Sequence, residues 1–318
     1  MKEIYGAIDM GTHTARLLIA RVEGSPSRLV PLERRRAYTR LGENFDPSGE
    51  RVIEPAAMDR ALDELAGFNR RLEAAGAGQV HAVATGVVRE ARNRDLFLAR
   101  IHDRTGIRVR SITGEEEAAL TARGVLHALA EPPGATLIFD LGGGSTEFIY
   151  ISGGDAPVVV SIPLGAVLLT EGFLTADPPG ENEIDRLFDH IDTSLDTTLL
   201  KGIRGQGIQE MVATGGTATS LAAMLHDIPV ARISPERMNG LRIERLEIEA
   251  LFKQVRRTPC DERARLTGLD KGRAKVMAAG AAAVIRIMDY FNRRDLAVCL
   301  SDLLEGILIE VIEGEKDG

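Results

Sequence analysis

The sequence has 318 residues and a mass of 34.4 kDa, a length that suits two domains of roughly 150 residues. Hydrophobic residues (44%) and charged residues (27%) stand in the proportion of a globular protein with a real core. No run of about 18 apolar residues is present to form a membrane-spanning helix. A net charge of −8, 4% aromatics and no Trp argue against a general nucleic-acid binder, leaving only a local basic cleft open. The two cysteines, Cys260 and Cys299, exclude a disulfide scaffold and a Cys-based zinc site and read as reduced buried thiols. The N-terminus, MKEIYGAIDMG, runs straight into a strand without the apolar stretch of a signal peptide, so a cytoplasmic protein is expected.

In chain order, residues 4–9 and 14–22 read as strands around a tight turn at Gly11, and 28–36 as a third. Pro55 opens a helix to about residue 75, because its missing N–H costs nothing in the first turn. Met58, Leu62, Leu65, Phe68 and Leu72 mark its apolar face. Residues 80–84 and 108–112 are strands, and 115 to about 130 a helix. Glu131-Pro132-Pro133-Gly134 is the strongest boundary signal. Beyond it, 136–140, 146–151, 158–162, 211–213 and 297–300 read as strands, and 181–200, 245–257, 273–290 and 302–313 as helices. Helices and strands interleave throughout, which predicts an α/β protein. The domains expected are 1–125 and 126–318, with the terminal helix 302–313 packing back on the first.

One internal repeat organises the chain. Asp9-Met10-Gly11-Thr12-His13-Thr14 and Asp140-Leu141-Gly142-Gly143-Gly144-Ser145 both fit strand–D-x-G-x-x-S/T, about one domain length apart, as a duplicated fold would place them. A glycine-rich turn can aim several backbone N–H groups at one phosphate, and a Ser or Thr hydroxyl adds a donor. The Asp before each turn cannot bind phosphate, but it can hold Mg²⁺ or its waters. Glu147 adds a second carboxylate after Ser145 and Thr146. The plainer alternative is a hairpin turn whose glycines serve geometry alone. A third candidate, Thr214-Gly215-Gly216-Thr217, follows a strand and opens a helix, so it is either an anion-binding helix N-terminus or a simple Thr cap. No P-loop is present, and Gly142-Gly143-Gly144 leads into a strand, unlike a dinucleotide-binding fingerprint.

Glu115-Glu116-Glu117 begins a helix, where acidic residues favour the positive end of the dipole. One of them is also a candidate base. Arg89 ends a strand–turn segment and reads either as a surface residue or as a fork for phosphate oxygens. Arg34-Arg35-Arg36 and Arg40 are either a solvated strand face or a wall for a polyanion. The six histidines show no metal-ligand spacing, and His13 stands out only because it lies inside the first turn.

These stretches resemble the exopolyphosphatase and guanosine pentaphosphate phosphohydrolase family of the actin/Hsp70/sugar-kinase superfamily. AIDMGTHTARLLIA, RLGEN, VATGVVREARN, ITGEEEAAL, FDLGGGSTEF, IPLGAVLLTEGFL and ATGGTATSLAAM carry the resemblance, with FDLGGGSTEF and ITGEEEA the most specific. It implies two ribonuclease-H-like domains flanking a cleft, with the turns at 11–14 and 142–146 facing each other. It also implies Mg²⁺-assisted hydrolysis of a terminal phosphoanhydride in polyphosphate or guanosine pentaphosphate. By the same resemblance Glu117 is the base, and Asp140 and Glu147 are metal or water ligands alongside Asp9. Phosphate is held by Gly11, Thr12, His13, Thr14, Arg89, Gly142, Gly143, Gly144, Ser145, Thr146, Gly215, Gly216 and Thr217. Departures from the family pattern are His13 where Asn is usual, Lys275 where Asp is usual and Leu304 where Arg is usual. The partner expected is the phosphorylated substrate, with a homodimer left open and no nucleic acid or membrane. Two rival readings are a non-catalytic sensor of the same polyanions and a kinase-like ATP binder.

Overall fold

The apolar runs on either side of the first turn form a hairpin in the computed structural model, which describes residues 3–24, 28–46, 49–129, 134–153 and 157–314. The chain divides into two compact units, Met1–Gly124 with Asp302–Gly318, and Val125–Ser301. The first unit contains β1 (Ile4–Met10), β2 (Ala15–Glu23), β3 (Arg28–Ala37), α1 (Pro55–Ala75), β4 (Gln79–Ala84), α2 (Gly86–Glu90), α3 (Arg94–Thr105), β5 (Val109–Ser111) and α4 (Gly114–Leu129), which carries the chain into the second unit. The second contains β6 (Thr136–Leu141), β7 (Thr146–Ile151), β8 (Val158–Ile162), α5 (Ala166–Phe173), α6 (Glu181–Leu195), α7 (Thr198–Arg204), β9 (Glu210–Thr214), α8 (Gly215–Leu225), α9 (Pro235–Met238), β10 (Leu241–Glu244), α10 (Arg245–Val255), α11 (Cys260–Arg263), α12 (Met277–Tyr290) and β11 (Asp295–Val298). The terminal helix α13 (Leu303–Gly314) belongs to the first unit.

Each unit has a mixed sheet of the same design. The first runs β3-β2-β1-β4-β5, an antiparallel meander followed by two parallel strands. The second runs β8-β7-β6-β9-β11 in the same sense, with β10 added antiparallel on β11. This is the ribonuclease-H-like order, written twice. The central strands β1 and β6 are almost wholly buried, as strands covered on both faces must be. In the first unit α1 buries Met58, Leu62, Leu65, Phe68 and Leu72 with Ile8, Leu17 and Ile19, while α13 buries Leu304, Ile307 and Leu308 with Tyr5, Ala7 and Leu18. The second unit has one core around Phe139, Phe148, Leu187 and the alanine-rich α12.

Pro55 opens α1 as expected, and Gly76 closes it in the left-handed region (φ 70°). The sequence pattern does not mark α2, α3, α5, α9, α11 or β10, and the helix expected over 181–200 ends at Leu195, with α7 starting at Thr198. In α3 only Phe97 and Ile101 are buried, so its apolar face is too narrow to stand out by periodicity. The boundary signal at Glu131-Pro132-Pro133 lies outside the described residues. Arg34 and Arg35 form no shared basic wall: Arg34 is ion-paired with buried Glu305 of α13, and Arg35 with Glu33. Glycines bring α13 against α4. A Cβ on Gly306 would stand 1.8 Å from the Leu120 carbonyl oxygen, and one on Gly124 would stand 2.0 Å from that of Asp302. Among the described residues no helix is long and apolar enough to cross a membrane.

Candidate active site

The two D-x-G turns close alike: the N–H of Gly11 donates to the Thr14 carbonyl at 2.9 Å, and that of Gly142 to the Ser145 carbonyl at 3.0 Å. In the second unit the N-terminus of α5 grips the turn from behind. Ala166 donates to the Gly142 carbonyl at 3.0 Å and Val167 to the Gly143 carbonyl at 2.9 Å. A trans peptide sets its N–H opposite its C=O, so the N–H groups of Gly143 and Gly144 point away from α5, the arrangement of an anion-binding nest. Gly165 permits the close approach, since a Cβ there would stand 2.2 Å from the Gly143 oxygen. In the first unit the segment after β3 does this work: Arg40 donates to the His13 carbonyl (3.0 Å) and Gly42 to the Thr12 carbonyl (2.9 Å), which turns the N–H groups of His13 and Thr14 the other way. The His13 ring lies edge-on to Tyr38 at 5.5 Å.

The residue opposite each Asp differs. Asp9 pairs with Arg16 across β1–β2, and Asp140 pairs with Glu147 across β6–β7. Arg16 Nε donates to Asp9 Oδ2 at 2.8 Å, and the same guanidinium is ion-paired with Asp302 at the start of α13. Burial pushes the Asp9 carboxyl up from its ordinary range, against the pull of Arg16. Asp9, expected to hold metal, thus has an internal cation beside it. Asp140 and Glu147, directly opposite, leave the sheet on one face, where like charges repel. Glu147 is 4% exposed, and its Oε1 accepts from the Ser145 and Ser161 hydroxyls at 2.7 and 2.8 Å.

The side chains of Thr146 and Thr217, both expected to hold phosphate, are turned into the protein. Thr146 is fully buried and its hydroxyl donates to the Leu164 carbonyl; Thr217 is 2% exposed and packs on α12, where a Cβ on Gly280 would meet it at 2.7 Å. A hydroxyl following a strand residue alternates inward with the pleat, and one in the first turn of a covered helix faces its neighbour. Gly215 (φ +86°) lies under Asp140, whose Oδ1 would be 2.4 Å from a Cβ there, and Gly216 lies under the Arg273 guanidinium. The first unit repeats this: Gly86 (φ +50°) lies under Thr12, whose Oγ1 would be 2.3 Å from a Cβ. Ala84-Thr85-Gly86 and Ala213-Thr214-Gly215 are therefore a second duplicated strand-to-helix turn. The signal for it in the sequence is the tripeptide Ala-Thr-Gly, which runs from the end of β4 into α2 and again from β9 into α8.

The three glutamates of α4 separate by partner. Glu116 Oε2 accepts the Thr113 N–H at 2.8 Å while Thr113 Oγ1 accepts the Glu116 N–H at 3.1 Å, a reciprocal capping box. The Thr113 N–H, and then Arg110, hold the Glu116 carboxyl below its ordinary range. Glu115 is exposed. Glu117 is half-buried and faces Arg89, Nη1 to Oε2 at 2.8 Å. Arg89 is thus found on a carboxylate, and Arg16, Ser161 and Arg273 are site neighbours that the sequence reading did not assign. Their partners lie on other elements, brought together by strand register for Arg16 and Ser161 and by helix placement for Arg89 and Arg273.

Among the described residues no three His, Cys, Asp or Glu side chains converge to hold a metal ion. Mg²⁺ does not require such a cage, being bound by one or two carboxylates with waters and substrate phosphates. Asp140 with Glu147 supplies that donor set.

Two sheets in ribonuclease-H order, each carrying a glycine-containing D-x-G turn after its first strand, define a protein with two actin-like ATPase-type domains. The chain belongs to the Ppx/GppA phosphatase family, whose model matches residues 18–315. It is 32% identical over 326 residues to exopolyphosphatase 2 of Mycobacterium tuberculosis, covering 96% of this chain and 97% of that protein. It is 27% identical to the guanosine-5'-triphosphate,3'-diphosphate pyrophosphatase of Vibrio vulnificus, covering 97% of this chain and 59% of that protein. The crystal structure of an exopolyphosphatase from Cytophaga hutchinsonii superposes with a TM-score of 0.88 at 28% identity, covering 98% of each chain.

Proposed function

We propose that the protein is a phosphoanhydride hydrolase that releases terminal phosphate from inorganic polyphosphate or guanosine pentaphosphate with the help of Mg²⁺. The observation that carries this reading is the unequal pair of turns. Asp9 is neutralised by Arg16, whereas Asp140 faces a second carboxylate beside a nest of N–H groups, which suits a divalent cation and the phosphate it accompanies. Phosphoryl transfer asks for alignment and charge neutralisation more than for covalent chemistry. Mg²⁺ held by Asp140 and Glu147 would supply that neutralisation. The N–H groups of Gly143 and Gly144 would bind phosphate oxygens beside that ion. Ser145 and Ser161 keep Glu147 in place through its Oε1. Glu117 accepts a proton from the attacking water, a role its half-buried position on α4 supports better than the capped Glu116 or the exposed Glu115.

Polyphosphate is the first substrate to try. The exopolyphosphatase of M. tuberculosis is matched over nearly its whole length, and the guanosine-nucleotide enzyme over 59% of its own. Phosphate release from long-chain polyphosphate and from guanosine pentaphosphate, with Mg²⁺ and with EDTA, tests the reading. Release in Mg²⁺ that EDTA abolishes is expected. Equal rates in EDTA would remove the metal from the reaction. No release from either substrate across a wide pH range would contradict hydrolysis and favour a polyanion sensor.

A further inference from the structure

We infer that Arg89 is a positioning residue for Glu117, and that the five-residue helix α2 ties this pair to the first phosphate-binding turn. The inference rests on the reading of Glu117 as the base. Arg89 Nη1 donates to Glu117 Oε2 at 2.8 Å and to the Ile112 carbonyl at 3.3 Å, so the guanidinium is fixed between a side chain and a stretch of backbone. The two side chains are 24% and 16% exposed, against 55% and 45% for the neighbouring Arg110–Glu116 pair. A partly buried ion pair is less screened than one at the surface and holds its geometry better. Both bonds come from Nη1, so one nitrogen of the guanidinium is committed to holding the carboxylate.

Both ends of α2 are tethered. At its C-terminal end Arg94 Nη1 donates to the Arg89 carbonyl at 3.1 Å. At its start the Val87 N–H donates to Thr12 Oγ1 at 3.3 Å, and Gly86 lets the Thr12 hydroxyl lie against the backbone. The Thr12 hydroxyl accepts that bond with a lone pair and keeps its own proton to donate. Thr12, Val87, Arg89 and Glu117 therefore form one line of contacts, from a residue of the first turn to the carboxylate on α4. A helix of five residues has no internal slack with which to absorb a shift at one end. The carboxylate is set relative to the turn by α2, and Arg89 is the link that reaches it.

A positioning residue and a phosphate ligand leave different kinetic signatures. Arg89→Gln and Arg89→Lys, each alone and combined with Glu117→Gln, are measured for kcat and KM on polyphosphate, with melting curves to establish folding. Arg89→Gln is expected to lower kcat by about 10- to 100-fold with KM within about threefold, and Arg89→Lys to recover part of the loss. Because Arg89 acts through Glu117, adding Arg89→Gln to Glu117→Gln is expected to cost less than about threefold more. If Arg89→Gln does not fold, Arg89→Lys carries the same comparison. A rise in KM of about tenfold or more with kcat held, or an undiminished loss on top of Glu117→Gln, overturns the assignment and returns Arg89 to phosphate binding. The failures are distinguishable. A Glu117→Gln enzyme with wild-type kcat removes the base and this inference together, whereas a slow Glu117→Gln enzyme with additive Arg89 effects removes the inference alone.

Discussion

Glu147 stands directly opposite Asp140 on the neighbouring antiparallel strand, so the two carboxylates leave the sheet on the same face. The equivalent partner of Asp9 is Arg16. The two duplicated hairpins thus differ in the charge set opposite the Asp: a guanidinium in the first, a second carboxylate in the other. Glu147→Gln relieves the repulsion and keeps an oxygen for the Ser145 and Ser161 hydroxyls. Its metal-free melting temperature is therefore expected to equal or exceed that of the wild type. Mg²⁺ is expected to raise the melting temperature of the wild type through binding to the folded state, and to lose that effect in the variant. Melting curves with Mg²⁺ and with EDTA check this, and an undiminished Mg²⁺ shift in Glu147→Gln would place the ion elsewhere.

Gly86→Ala tests the coupling of the first turn to α2. The position has φ +50°, where a side chain costs about 1–2 kcal/mol. The new Cβ would also stand 2.3 Å from Thr12 Oγ1. The variant is expected to lose about that much stability by denaturant melting and to lose turnover with it, since the Thr12 hydroxyl is displaced. Full activity with only the stability loss would show that Thr12 has no part in binding phosphate.

Glu183 predicts acid sensitivity in the second unit. Its carboxylate accepts from the Thr175 hydroxyl and the N–H groups of Thr175, Ala176 and Gly180, which together bring it down to about 2. A folded-state value below the unfolded one gives stability that is fully present above about pH 4.5 and is lost as pH falls toward 2. Glu183→Gln is therefore expected to melt several degrees below the wild type at pH 7, with the gap narrowing between pH 4.5 and 2. A gap independent of pH would mean that loop packing, not the charge, is responsible.

Much of this was legible because it is local. The D-x-G turns announce themselves by an apolar run, a glycine-rich break and a second apolar run, and the four residues Thr113-Gly114-Glu115-Glu116 carry the T-x-x-E pattern of a capping box. What the sequence does not disclose is set by strand register and helix placement. That Asp9 meets Arg16 while Asp140 meets Glu147 follows only once the hairpins are paired. That Arg89 meets Glu117, 28 residues on, depends on α2, a helix too short to leave a periodic trace. Thr146 reads as a phosphate ligand by its place after Ser145, and the pleat turns it inward instead.

The most direct test of the account is kcat for Glu117→Gln beside Glu116→Gln on the same polyphosphate substrate. Glu116 is committed to Thr113 and Arg110, and Glu117 is the half-buried carboxylate held by Arg89. The account predicts that Glu117→Gln keeps fold and KM and loses kcat by roughly 10²–10⁴, the span of a lost general base. Glu116→Gln should lose some stability from its cap while turning over within a few-fold of wild type. A large loss of kcat at Glu116 with little at Glu117, or mild effects at both, would contradict base catalysis by Glu117.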